Sequence, residues 1–187
     1  MRRLVVVCLA TSLFVILCGC KERRGTAVTR DACSLVSKEE VESVQASPVN
    51  ETKSSERSDD VFRVTQCFFT TAEFSKSVNL ALVQKNPAQQ NERSPKDFWK
   101  DKFGSYGGDR ARDEKAGTKS VEREQTTAPK KITGLGDDAY WVSNRFGGVL
   151  YVLKGDAFIS VGLGGTDDEE TKLAKSKVLA QKALQRL

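Results

Sequence analysis

Asp137-Asp138 and Asp167-Asp168 are adjacent carboxylates on which a hydrolytic or cation-binding function could rest. Paired carboxylates serve glycoside hydrolysis as acid and base or nucleophile, and their oxygens suit Ca²⁺. No EF-hand spacing surrounds either pair, and Gly162, Gly164 and Gly165 lack the spacing and the lysine of a phosphate-binding loop. Tyr140 and Trp141 follow the first pair, so Asp137, Asp138, Tyr140 and Trp141 form one candidate ligand-binding edge, with an aromatic platform and polar contacts. A plainer account is turn chemistry: Gly134 and Gly136 allow unusual backbone angles, Asp137 caps a turn, and Tyr140 and Trp141 begin a strand. Thr166-Asp167-Asp168-Glu169 likewise has the form of a capping box opening a helix. The chain contains no histidine, which removes Ser-His-Asp triads, Cys-His pairs and His-based zinc sites. The expectation is a domain that is not an enzyme and has no cofactor and no metal. A carboxylate-based, His-free enzyme or a cation-binding domain is the alternative.

Cysteine is the other reactive type, and its five copies sort by position. Cys8, Cys18 and Cys20 lie in the N-terminal segment, leaving Cys33 and Cys67 for the domain. Arg2 and Arg3 precede an apolar run of fourteen residues, 4–17, shorter than the roughly 20 needed to span a bilayer. A basic head, a short apolar stretch and a small residue before the cut describe a signal peptide, here residues 1–19. Leu17-Cys18-Gly19-Cys20 looks like the lipobox of bacterial lipoproteins, with Cys20 as the lipidated residue. Cys18 would put Leu17 where a small residue is needed. The expected product is an exported protein held to the membrane through lipid on Cys20, with residues 20–31 as a flexible tether. Lys21 is not the aspartate that retains enterobacterial lipoproteins in the inner membrane. The expected location is therefore the periplasmic face of the outer membrane in a two-membrane host, and otherwise the outer face of the cytoplasmic membrane. In that oxidising setting Cys33 and Cys67 are expected to pair as a disulfide, with two buried thiols or a thiol ligand pair as alternatives. Arg2 and Arg3 leave with the signal, lowering a formal net charge of +5 by two. No nucleic-acid partner is expected from so modest a bias; an envelope protein or lipid is.

The elements that would position these residues are legible in part. Ser37-Lys38-Glu39-Glu40 is a capping box, and Val36 and Val41 form a hydrophobic staple around it. They predict a helix to about Ala46, stopped by Pro48. Residues 50–60 read as a polar loop. Residues 61–70 and 76–84 read as strands, rich in β-branched and aromatic types, joined as a hairpin. Ser94 and Pro95 open a second helix that carries Phe98, Trp99 and Phe103 and ends at Gly104. Residues 104–131 read as a mobile polar loop. Three strands follow at 139–143, 148–154 and 157–163, the last two joined by a two-residue turn at Gly155-Asp156. Leu173, Ala180, Leu184 and Leu187 mark the packing face of a final helix. The sum predicts one α+β domain over 32–187, with a mainly antiparallel sheet of about five strands and three helices over one face.

Asp31-Ala32-Cys33-Ser34-Leu35-Val36, followed by Lys38-Glu39-Glu40-Val41, resembles the "CSLLT…EV" opening of small secreted actinobacterial-type lipoproteins of unknown function. Gly134-Leu135-Gly136-Asp137-Asp138-Ala139-Tyr140-Trp141 resembles their "GLGDxAYW" segment. The resemblance covers the two ends of the domain and implies a shared architecture and a Cys33–Cys67 bridge. It implies no activity.

Overall fold

Asp31 starts the fold by capping a single 3-10 turn, Ala32–Ser34; its Oδ1 accepts from the Cys33 amide at 2.7 Å. A computed structural model describes residues 29–88, 93–106 and 128–187. The signal peptide, Cys20 and most of the expected tether lie outside these residues. Arg30 and Asp31, at the tether's end, already belong to the domain. Ala32 then donates to Thr65 Oγ1 at 3.0 Å, and Leu35 and Val36 are buried. Helix α1, Lys38–Gln45, begins with the expected capping box: Ser37 and Glu40 satisfy each other's backbone amides. It ends where Ala46 turns left-handed at φ 49°.

The chain next enters strand β1, Val49–Ser58, paired antiparallel with β2, Phe62–Thr71. Residues 50–60, expected as a loop, are thus mostly strand. β1 is an edge, nearly all of its side chains are exposed, and so it carries no apolar alternation to read. Its charges also suit an edge, where they discourage pairing with other chains. Arg63 on β2 grips Glu56 through two bonds of 2.8 and 2.6 Å across the diagonal.

β3, Val78–Lys85, completes the expected hairpin with β2. Helix α2, Pro95–Phe103, has Ser94 as its cap and Pro95 in its first turn. The remaining strands are β4, Lys130–Lys131; β5, Asp138–Val142; β6, Val149–Lys154; and β7, Ala157–Leu163. Together they form one antiparallel sheet of seven strands in the order β1-β2-β3-β7-β6-β5-β4. The expected α+β class and antiparallel pairing hold; the two further strands are the polar edges β1 and β4. β4 falls in the segment expected as a loop, and 107–127 of that segment lies outside the described residues. Only Gly155 of the β6–β7 turn has positive φ, at 59°, which selects the type II′ pattern.

Strand alternation gives the sheet two apolar faces. The inner face runs Cys67–Leu80–Val161–Leu150–Trp141 across β2, β3, β7, β6 and β5, beneath α1 and the final helix α3, Glu169–Arg186. The outer face carries a smaller cluster of Tyr140, Leu153 and Phe158 under Trp99 and Phe103 of α2. Helices therefore cover both faces, not one. The α3 cap is Asp168, whose side chain accepts from the Thr171 amide at 2.7 Å, rather than Thr166. Asp167 instead pairs with Lys175 at 2.6 Å.

α1 and α3 are latched at their ends. Arg186 holds both oxygens of Glu40 at 2.7 and 2.8 Å and also donates to the Leu35 carbonyl. The Arg186 hydrogen bonds hold the Glu40 carboxyl down at about 2 instead of the usual 4.5. Because the folded value is depressed, the stabilisation is fully present above pH 4.5 and is lost as pH falls toward 2. Because Arg186 is exposed, solvent screens the pair and keeps its worth small. Glu40→Gln is expected to lower the urea midpoint at pH 7, and its difference from the wild type should shrink as pH is lowered through this window. A gap that stays constant with pH would show that the carboxylate charge contributes nothing.

Candidate functional site

Cys33 and Cys67 form a disulfide that ties the first turn to the centre of β2. Asp31 fixes the approach, accepting from Cys33 on one oxygen and from Ser54 of β1 on the other. The N-terminal motif thus sets a cap, a bridge and two buried apolar residues in order.

The four residues of the GLGDxAYW segment do not converge. Asp137 turns toward the β6–β7 turn, where Oδ2 accepts from the Gly155 amide at 2.6 Å. Asp138 faces the outer side; it accepts from Trp99 Nε1 at 3.1 Å and lies 3.6 Å from Lys131 Nζ. Tyr140, on that same side, stacks on Phe103 with centroids 4.7 Å apart. Burial raises the pKa of its phenol, with the Asp138 charge adding to the effect. Trp141 points to the opposite face, buried, with its Nε1 donating to Glu169 at 2.8 Å. Gly136 explains the glycine of the segment: φ is 61°, and a Cβ there would collide with the Leu153 carbonyl. Each of these side chains is engaged in holding strands and helices together. Among the described residues, no group of three or more His, Cys, Asp or Glu side chains could hold a metal ion.

A different surface stands open. α2 covers only part of the outer face. Beyond it a cross-strand row, Phe68–Asn79–Gly162–Val149, floors a groove of about 460 Å³. Its rim carries Phe74, from the β2–β3 connection, and Phe146, from the β5–β6 connection, each 70% exposed. Both rings sit on ordered turns. The Phe74 carbonyl accepts from Ser77 N and Oγ at 3.1 and 2.7 Å, and the ring lies 6.4 Å from that of Phe68. The Phe146 amide donates to Asn144 Oδ1 at 2.8 Å, while buried Lys172 donates to its carbonyl at 2.9 Å. Arg145 stacks against the Phe146 ring at 4.8 Å. Fixed turns of this kind lower the ordering cost of binding.

No motif in the sequence marks this surface. The available signal was a lone phenylalanine within each of two turn-like stretches, Glu73-Phe74-Ser75 and Arg145-Phe146-Gly147, together with a glycine inside a strand. No match to this chain was found among known protein families, curated proteins or solved structures.

Proposed function

We propose that this chain is an exported lipoprotein, held to the cell envelope by lipid on Cys20, whose domain is a non-catalytic binding module. The reading rests on one observation above others: the chain enters the sheet at one end and the groove opens at the other. The Arg30 amide donates to Gln84 Oε1 near the end of β3, and the Arg30 carbonyl accepts from Arg63 at the start of β2. Asn79, in the groove floor, lies five residues up β3 from Gln84, a distance of roughly 17 Å along the strand. A domain tethered through its N-terminal end would present Phe74 and Phe146 away from the bilayer. The partner is therefore an envelope component encountered in the compartment rather than the anchoring membrane or nucleic acid. The engagement of Asp137 and Asp138 by Gly155, Trp99 and Lys131 supports a structural role for these acids over a catalytic one.

The test is metabolic labelling with palmitate in a lipoprotein-processing bacterial host, followed by membrane fractionation. The wild type and Cys18→Ser are expected to be labelled and membrane-bound, and Cys20→Ser unlabelled. Equal labelling of Cys20→Ser would overturn the anchor.

A further inference from the structure

Gly162 has no cause in the fold. Most glycines near the groove do: Gly148 has φ 135° and no room beside Trp141, and a Cβ on Gly164 would strike the Ser75 carbonyl. Gly162 has neither positive φ nor a crowded neighbour; a Cβ there would meet only Val149 Cγ2, at an ordinary 3.7 Å. Its pairing with β3 and β6 is regular, so no bulge requires it. Glycine inside a strand weakens it, and the remaining cause is close approach of a ligand or another backbone.

The lining narrows what approaches. Charged residues make up 29% of the chain, and each of three other surface grooves has acidic and basic side chains in its wall. Among the described residues, none that lines this groove is charged. It offers phenyl rings, a glycine floor and amide side chains, and Asn79 is exposed. A charged ligand would meet no opposite charge in that lining, the Arg145 guanidinium lying outside it against the Phe146 ring. An extended peptide fits poorly as well. β2, β3, β7 and β6 are all paired on both sides, so no strand edge is open to satisfy a peptide's amides. A sugar ring has the complementary character. Its C–H face packs on the electron-rich face of a phenyl ring, and its hydroxyls hydrogen-bond to amides and water.

We propose that the groove between Phe74 and Phe146 binds a neutral glycan of the cell envelope, seated over Gly162 and held by Asn79 and Asn144. This rests on the tethered binding module above and specifies its ligand. The experiment is calorimetric titration of the full-length protein, in detergent, with maltohexaose, chitohexaose, an oligogalacturonate and a neutral apolar peptide. Wild type should bind a neutral oligosaccharide with an affinity insensitive to added salt. Gly162→Val, which fills the floor, and Phe74→Ala, on the exposed rim, should each weaken it by about tenfold. The urea midpoint of Gly162→Val should not fall, because valine suits a strand. The proposal is overturned if neither sugar binds, if both variants bind like wild type, or if only the oligogalacturonate or the peptide binds. Membrane fractionation and chromatography of the recovered sugar separate this result from the reading beneath it. A protein that binds sugar yet is unlabelled on Cys20, or that shortens the sugar, contradicts the anchored or non-catalytic reading and leaves the glycan site standing.

Discussion

A chain carrying Cys33→Ala and Cys67→Ala is expected to lose about 3–4 kcal/mol of unfolding free energy, measured by urea denaturation at neutral pH. The bridge closes a sequence separation of 34 residues, and the loop so formed restricts the denatured chain more than it adds contacts to the folded one. The folded side has independent support. Ala32 bonds Thr65, Asp31 receives Cys33 and Ser54, and Leu35 and Val36 are buried, none of which requires the sulfur bond itself. The variant should therefore fold with the same secondary structure and unfold at lower urea. Adding reductant to the wild type should reproduce most of the loss, since the alanines additionally remove sulfur from a buried position. A midpoint unaffected by reductant would mean that the bridge does not limit stability.

Phe103→Ala is the larger perturbation of the outer face. Phe103 is 1% exposed and packs with Trp99, Tyr140 and Tyr151, at centroid distances of 4.6, 4.7 and 5.5 Å. Truncating such a ring costs about 3–5 kcal/mol. α2 reaches the sheet through Phe98, Trp99 and Phe103, the Trp99–Asp138 bond and Lys102 over the Tyr151 ring. The loss is therefore expected to appear first as detachment of the helix. Amide exchange followed by mass spectrometry should show protection collapsing over Pro95–Phe103 while β2 and β3 keep most of theirs. Equal loss in the helix and in these strands would show that α2 and the sheet unfold as one unit.

The parts of the fold that were legible are those specified locally. Ser37 with Glu40, Ser94 with Pro95, and Gly155 in a two-residue turn each determine a helix start or a hairpin by themselves. The rest depends on distant neighbours. β1 is a strand because β2 offers it a ladder, and its own side chains show no period of two. The spacing of Phe98, Trp99 and Phe103 says that one side of α2 is buried, but not which face of the sheet buries it. Tyr140 and Trp141 illustrate the same limit, since adjacent residues in a strand point to opposite faces and cannot share a platform. The groove is assembled from three loops and four strands. Its residues acquire meaning only when the antiparallel order sets Phe68, Asn79 and Gly162 side by side.

The disulfide also has a mechanical consequence. Tension arriving through the N-terminal segment would otherwise peel away the first turn and then Leu35 and Val36, one contact at a time. Cys33 instead passes that tension covalently to Cys67, midway along β2 and hydrogen-bonded on both sides. Phe68, the next residue of the chain, already floors the groove, so the load reaches the groove through the ladders joining β2, β3, β7 and β6. Any object gripped by Phe74 and Phe146 would thus load four paired strands and a covalent bridge, with the first turn spared.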